Sequence, residues 1–159
     1  MSITIFSRPI RTGKTTELLQ WCDKQKNIAG IAMPDIAGFR KIIDLTTHAT
    51  IDAEYKNTGA TNEELIEIGK YKFYKSAFDK ANEMLIHAWA SKPGWLVIDE
   101  LGKLELKGQG FFPAVTKIIA TMQQQPGTNI LFVIRERLVD EIARLFQLKD
   151  FSVVQTLSI

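Results

Sequence analysis

Hydrophobic and polar positions along this chain fall in blocks, and the period changes from block to block. Ile3–Phe6 is a short apolar run with β-branched residues and predicts a strand. A polar stretch follows. Leu18, Trp21 and Cys22 then recur at i, i+3 and i+4, the buried stripe of a helix over about 14–25. A second apolar strand is predicted at 28–33, a turn from Pro34-Asp35 to Gly38, and a returning hairpin partner at 39–45 that begins near Arg40 and Lys41. Residues 46–70 are mixed and polar, broken by Gly59 and Gly69; a connection of that length predicts strand pairing of its own. Phe78, Ala81, Leu85, Ala88 and Trp89 share one face of a helix over 75–90, which Lys92-Pro93-Gly94 ends. Trp95, Leu96, Val97 and Ile98 are uninterrupted apolar residues followed by Asp99 and Glu100, the pattern of a parallel strand buried on both faces. Helices are predicted at 111–124 and 138–146, and strands at 129–134 and 152–157.

This alternation of strand and helix predicts an α/β fold of three layers with a mostly parallel central sheet. Repeats, low-complexity tracts and linkers are missing from the sequence, so one domain over 1–159 is expected. Ligands of such folds bind beyond the carboxyl ends of the strands. Three chemically interesting groups fall at such ends: the loop after Phe6, the pair Asp99-Glu100, and Arg135 after Ile134.

Composition narrows the picture. The chain is 45% hydrophobic and 24% charged, which fits a chain with a real core and excludes a disordered one. Twenty basic against 18 acidic residues leave a net charge of +2, too little to point to nucleic acid or an anionic membrane. The single cysteine, Cys22, forms no internal disulfide, and with His48 and His87 it is too little for a cysteine-rich zinc site. No apolar run approaches the roughly 20 residues that span a bilayer. No signal-peptide pattern opens the sequence, so a cytoplasmic location is the expectation.

The loop between the first strand and the first helix reads Ser7-Arg8-Pro9-Ile10-Arg11-Thr12-Gly13-Lys14-Thr15-Thr16. Strand, loop, helix is the setting of a phosphate-binding loop, in which inward backbone N–H groups and the helix N-terminus hold negative charge. Gly13 lets the backbone come close, Lys14 reaches β and γ phosphates, and Thr15 offers its hydroxyl to Mg²⁺. The full pattern has glycine at position 8, where this chain has Arg8. Pro9 pushes residue 8 toward extended geometry, which an arginine adopts without strain. Arg11 lies near the loop tip and points either at the γ-phosphate or at solvent. Nucleotide contacts are expected from residues 8–16.

Asp99 ends a buried strand, where phosphoryl-transfer enzymes hold Mg²⁺, often through water. Glu100 is expected to point to the other side and to orient or deprotonate an attacking water; the alternative is a pair of carboxylates capping a loop. Arg135 either stabilises charge on the γ-phosphate or is a surface arginine in a cluster with Glu136 and Arg137. His48 and His87 read as ordinary surface or helix residues, and Cys22 as a core residue of the first helix.

The stretch VIDELGKLEL, 97–106, closely resembles the Walker B signature of the thermophile-type small nucleoside-triphosphatases, relatives of a human cancer-related nucleoside-triphosphatase. Residues 30–39 and 111–146 resemble the same family in order and spacing, with thin cover between 46 and 70. The resemblance implies a RecA-like P-loop fold and Mg²⁺-dependent hydrolysis of ATP, GTP, CTP and UTP to diphosphate and phosphate. It carries functional roles onto Lys14, Thr15, Asp99 and Glu100, and an extended motif onto Gly102, Lys103 and Glu105. The loop departs from the family's, with two glycines replaced by Arg8 and Arg11. GKTTELLQ also resembles the loop and first helix of thymidine kinases, whose cysteine zinc site one cysteine cannot build. A nucleoside triphosphatase is therefore expected. The alternatives are a nucleotide or nucleoside kinase, with an acceptor pocket drawn from Tyr55, Tyr71, Phe73 and Tyr74, and a nucleotide-binding switch with little turnover. A protein partner and the oligomeric state are not legible.

Overall fold

The apolar blocks pair into one twisted sheet with helices on both faces, described here in a computed structural model for residues 2–9, 12–56 and 61–159. The strands of the chain are β1 (Ile3–Phe6), β2 (Ile28–Ala32), β3 (Asp35–Ile36), β4 (Phe39–Asp44), β5 (Thr50–Asp52), β6 (Leu65–Ile68), β7 (Tyr71–Tyr74), β8 (Trp95–Leu101), β9 (Asn129–Ile134) and β10 (Phe151–Val154), of which β6 and β7 form a small sheet of their own. The α-helices are α1 (Lys14–Cys22), α2 (Lys75–Ala90), α3 (Lys103–Leu106), α4 (Phe112–Thr121) and α5 (Val139–Leu145). Short 3-10 turns follow α4 at Met122–Gln124 and precede α5 at Glu136–Leu138.

The main sheet runs β10-β1-β9-β8-β2-β4-β3, with β5 paired to β4. β10, β1, β9, β8 and β2 are parallel to one another, and β4 is antiparallel to β2, β3 and β5. The sequence pattern explains the split. β8 and β9 carry continuous apolar runs because both their faces are covered, while β4, in the antiparallel part beyond β2, mixes Arg40 and Lys41 with isoleucines. Side chains alternate between faces. Ile5, Ile98, Ile130 and Phe132 pack under α2 and α4 in one apolar cluster; Phe6, Val97, Leu131 and Val133 meet Leu18, Trp21 and Cys22 of α1 in the other. This is the expected three-layer arrangement. The mixed region 46–70 does pair: β5 lies on β4, and β6 forms a hairpin with β7.

Several bounds differ from the sequence pattern. α1 ends at Cys22 because its polar end has nothing left to bury. The last strand is displaced to Phe151–Val154, in register with β1. β8 runs on through Asp99 and Glu100 to Leu101, with an irregularity against β9 between Ile98 and Leu101.

The connections fix where a ligand can sit. From β1 the chain crosses over β9 and β8 to reach β2, whereas from β9 it crosses β1 in the other direction to reach β10. Connections that leave two adjacent strands in opposite directions open a crevice at their carboxyl ends.

Candidate active site

That crevice is a cleft of about 820 Å³ at the carboxyl ends of β1, β9, β8 and β2. Its walls bring together Thr12, Gly13, Lys14, Thr15, Thr16, Asp99, Glu100 and Arg135, although Thr15 and Asp99 are 84 residues apart along the chain. Ile10 and Arg11 lie outside the described residues.

Gly13 caps α1 from the left-handed region, with φ +79°, a conformation that a side chain at this position would strain. No side chain caps α1, so its first N–H groups remain open to a ligand. Lys14 Nζ donates to the carbonyls of Arg8 at 3.1 Å and Pro9 at 3.3 Å, bracing the loop from within. Partial burial lowers the Lys14 pKa, with Arg135 and Arg8 adding to the push and Glu100 and Asp99 opposing it.

Arg8 answers the loss of the loop glycine. Its guanidinium does not line the cleft, nor does Pro9. Nε donates to Thr12 Oγ1 at 3.1 Å, Nη2 to the Thr12 carbonyl at 2.8 Å, and Nη1 to Glu17 Oε1 at 2.9 Å and the Gln155 carbonyl at 3.2 Å. Thr12 Oγ1 in turn donates to the Pro9 carbonyl at 2.6 Å. A loop that glycine would leave flexible is here closed by side-chain bonds. Glu17, unremarked in the sequence, also accepts from Leu157 N at 2.7 Å and so ties the loop to the end of the chain.

Asp99 is fully buried. Its Oδ2 accepts from Met33 N at 3.0 Å and from Thr15 Oγ1 at 3.4 Å, while Oδ1 has no hydrogen-bond partner among the described residues. Burial raises its pKa, and the neighbouring Glu100 charge raises it further. A buried carboxylate with one oxygen unpartnered and a threonine hydroxyl alongside is a place where a small hard cation fits: such a cation takes oxygen ligands and keeps most of its waters. No group of three or more acidic, histidine or cysteine side chains gathers to hold a metal anywhere among the described residues, this cleft included.

Glu100 corrects the sequence reading. Strand alternation predicts that it faces away from Asp99, yet both carboxylates line the cleft. Glu100 has φ +59°, which breaks the alternation at the irregularity in β8 and turns its side chain back to the carboxyl end. There it pairs with Arg40 of β4, at 2.5 Å from Nη1. Arg40 was legible only as a residue at the start of a hairpin strand. Its place at the site depends on the antiparallel return of β4 along β2, which the local sequence does not announce.

Arg135 follows β9, the strand between β1 and β8, and so stands over the middle of the cleft. It is half-buried, and its guanidinium makes no hydrogen bond or ion pair among the described residues. Of the extended motif, Glu105 is structural. It is buried, and its two oxygens accept from Gly102 N at 2.6 Å and Phe111 N at 2.9 Å, closing the first turn of α3.

A family model described as NTPase matches residues 3–157. The chain belongs to the NTPase family. This is the family that the stretch 97–106 resembles, and it makes the protein a nucleotide-binding P-loop NTPase. The fold agrees. The crystal structure of THEP1 from the hyperthermophile Aquifex aeolicus superimposes with a TM-score of 0.71 at 24% identity, covering 99% of this chain and 91% of that one. The solution structure of a human cancer-related nucleoside triphosphatase gives 0.67 at 22% identity, with 98% and 90% covered. No curated protein matches the sequence. No helix among the described residues of this NTPase is long and apolar enough to cross a membrane.

Proposed function

We propose that this NTPase hydrolyses nucleoside triphosphates to diphosphate and phosphate with Mg²⁺. The observation that carries the reading is the convergence of Thr15 Oγ1 and Asp99 Oδ2 at the mouth of α1, with Asp99 Oδ1 buried beside them and unpartnered among the described residues. Thr15 and Asp99 would hold the ion, which would offset the negative charge of the phosphates.

The chain's own groups supply the rest. The open N–H groups at the start of α1 and the loop bind the phosphates. Lys14 exchanges its two carbonyl partners for phosphate oxygens, a stronger, charge-assisted pairing. Glu100 orients a water and takes its proton as the water oxygen bonds to the γ-phosphorus and the bond to the β–γ bridging oxygen breaks. Arg135, without an ion-pair partner among the described residues, neutralises charge that develops on the transferring group. All the bases of the triphosphate panel are expected to be accepted, since the recognised parts are the phosphates.

Free-phosphate release from ATP, GTP, CTP and UTP with Mg²⁺ tests this, for the native chain beside Lys14→Ala and Glu100→Gln. The native chain releases phosphate; Lys14→Ala loses at least about 100-fold. Glu100→Gln keeps nucleotide binding and loses release. A Glu100→Gln variant that turns over at the native rate would remove Glu100 from the water-directing role. No release from the native chain, with triphosphate bound, would leave a switch in place of an enzyme.

A further inference from the structure

The contact between Arg40 and Glu100 has no place in hydrolysis as just described, and it ties up the residue assigned to the water. The contact belongs to a connected path through the cleft. Thr15 Oγ1 reaches Asp99, Asp99 accepts from Met33 N, the Met33 carbonyl accepts from Arg40 Nη1 at 3.1 Å, and the same Nη1 meets Glu100. Arg40 therefore stands one peptide away from the carboxylate at the proposed metal position.

We propose that Arg40 is a positioning residue that distinguishes triphosphate from diphosphate: in the nucleotide-free chain it restrains Glu100, and a bound γ-phosphate draws its guanidinium away and releases Glu100 to the water. The inference rests on the reading of this cleft as a triphosphate site.

Three features support it. Nη1 carries both of the contacts that the Arg40 guanidinium makes, so Nη2 and Nε keep three N–H groups without a partner among the described residues, in a side chain that lines the cleft. The planar guanidinium matches a phosphate face in a bidentate manner, and a γ-phosphate carries more charge than a single carboxylate. Finally, Glu100 is held at φ +59°, a strained position that persists only while its surroundings fix it. That backbone turn brings its carboxylate to Arg40 Nη1, the group it meets here. A diphosphate lacks the group that would compete for Arg40, so it would leave the pair intact.

Calorimetric titration with a non-hydrolysable ATP analogue and with ADP, both with Mg²⁺, separates this from a structural role. In Arg40→Ala the affinity for the analogue falls by about 10-fold or more, the loss of one charge-assisted contact, while that for ADP changes less than about twofold. Arg40→Lys recovers part of the analogue affinity. Glu100→Gln, whose neutral amide holds Arg40 more weakly than the carboxylate does, binds the analogue a few-fold more tightly. An unchanged ratio of the two affinities in Arg40→Ala would overturn the inference, whether both stay level or both fall together. That result leaves the triphosphatase reading standing, whereas a native chain that binds neither nucleotide ends both.

Discussion

Single residues decide how this phosphate loop works. Where the motif has glycine the chain has Arg8, and the substitution changes the means of shaping the loop. Arg8 binds both Thr12 oxygens, Glu17 and the Gln155 carbonyl, and its guanidinium lies 5.3 Å from the centre of the Phe6 ring. The ion pair is partly open to water, so most of its value lies in ordering the loop. Arg8→Ala is expected to cost about 1–2 kcal/mol in denaturant unfolding and to raise KM for triphosphate more than it lowers kcat. Cys22 offers a simpler check. Burial pushes its thiol up to about 12, so it stays a thiol at neutral pH. The folded protein is expected to leave Cys22 unlabelled by a thiol reagent at pH 8, and to label it once unfolded.

Elements position these residues, and here the sequence was legible unevenly. Continuous apolar runs identified β1 and β9, and the 3.6 period α2, with their observed bounds, because each buries enough residues to show a pattern. α3 escaped notice. Four residues cannot display a helical period, and this helix is held by Glu105 reaching back to Gly102 N and forward to Phe111 N. The loop lysine and threonine and the two strand-end carboxylates could be read locally. Two pairings could not: Arg40 with Glu100 needs the register of β4 on β2, and Arg8 with Gln155 joins opposite ends of the chain. Nor could alternation foresee that Glu100 turns into the cleft, since a positive φ overrides it. α3 also has a weak point of its own. Gly110 has φ +64°, and a Cβ there would fall 2.0 Å from Glu105 Oε2. Gly110→Ala therefore displaces the carboxylate that closes α3. It is expected to destabilise the fold by about 2–4 kcal/mol, measured by urea unfolding, and more than Gly108→Ala, which meets nothing within 4 Å.

At the scale of the whole molecule, the cleft is surrounded by buried acid on the carboxyl side of the sheet, and the stability of the fold must follow its protonation. Glu105 gives the cleanest case. Burial raises its carboxyl pKa to about 7, although the N–H groups of Gly102 and Phe111 pull the other way. The unfolded chain has the ordinary value of 4.5. Between these limits the native state binds the proton that the unfolded state has lost, so stability from this group is complete below 4.5 and declines as pH rises through about 7. Asp99 shifts in the same direction, so the native profile contains both groups. Glu105→Gln isolates one of them. The amide cannot accept from both N–H groups and will lower stability at every pH, but it removes the titration. The decisive quantity is therefore the slope. From pH 5 to pH 8 the native midpoint of thermal unfolding is expected to fall more steeply than that of Glu105→Gln, with the gap between the two proteins narrowing as the pH rises. Parallel profiles would show that Glu105 keeps one charge state in the folded and unfolded chain, with its two N–H donors outweighing burial.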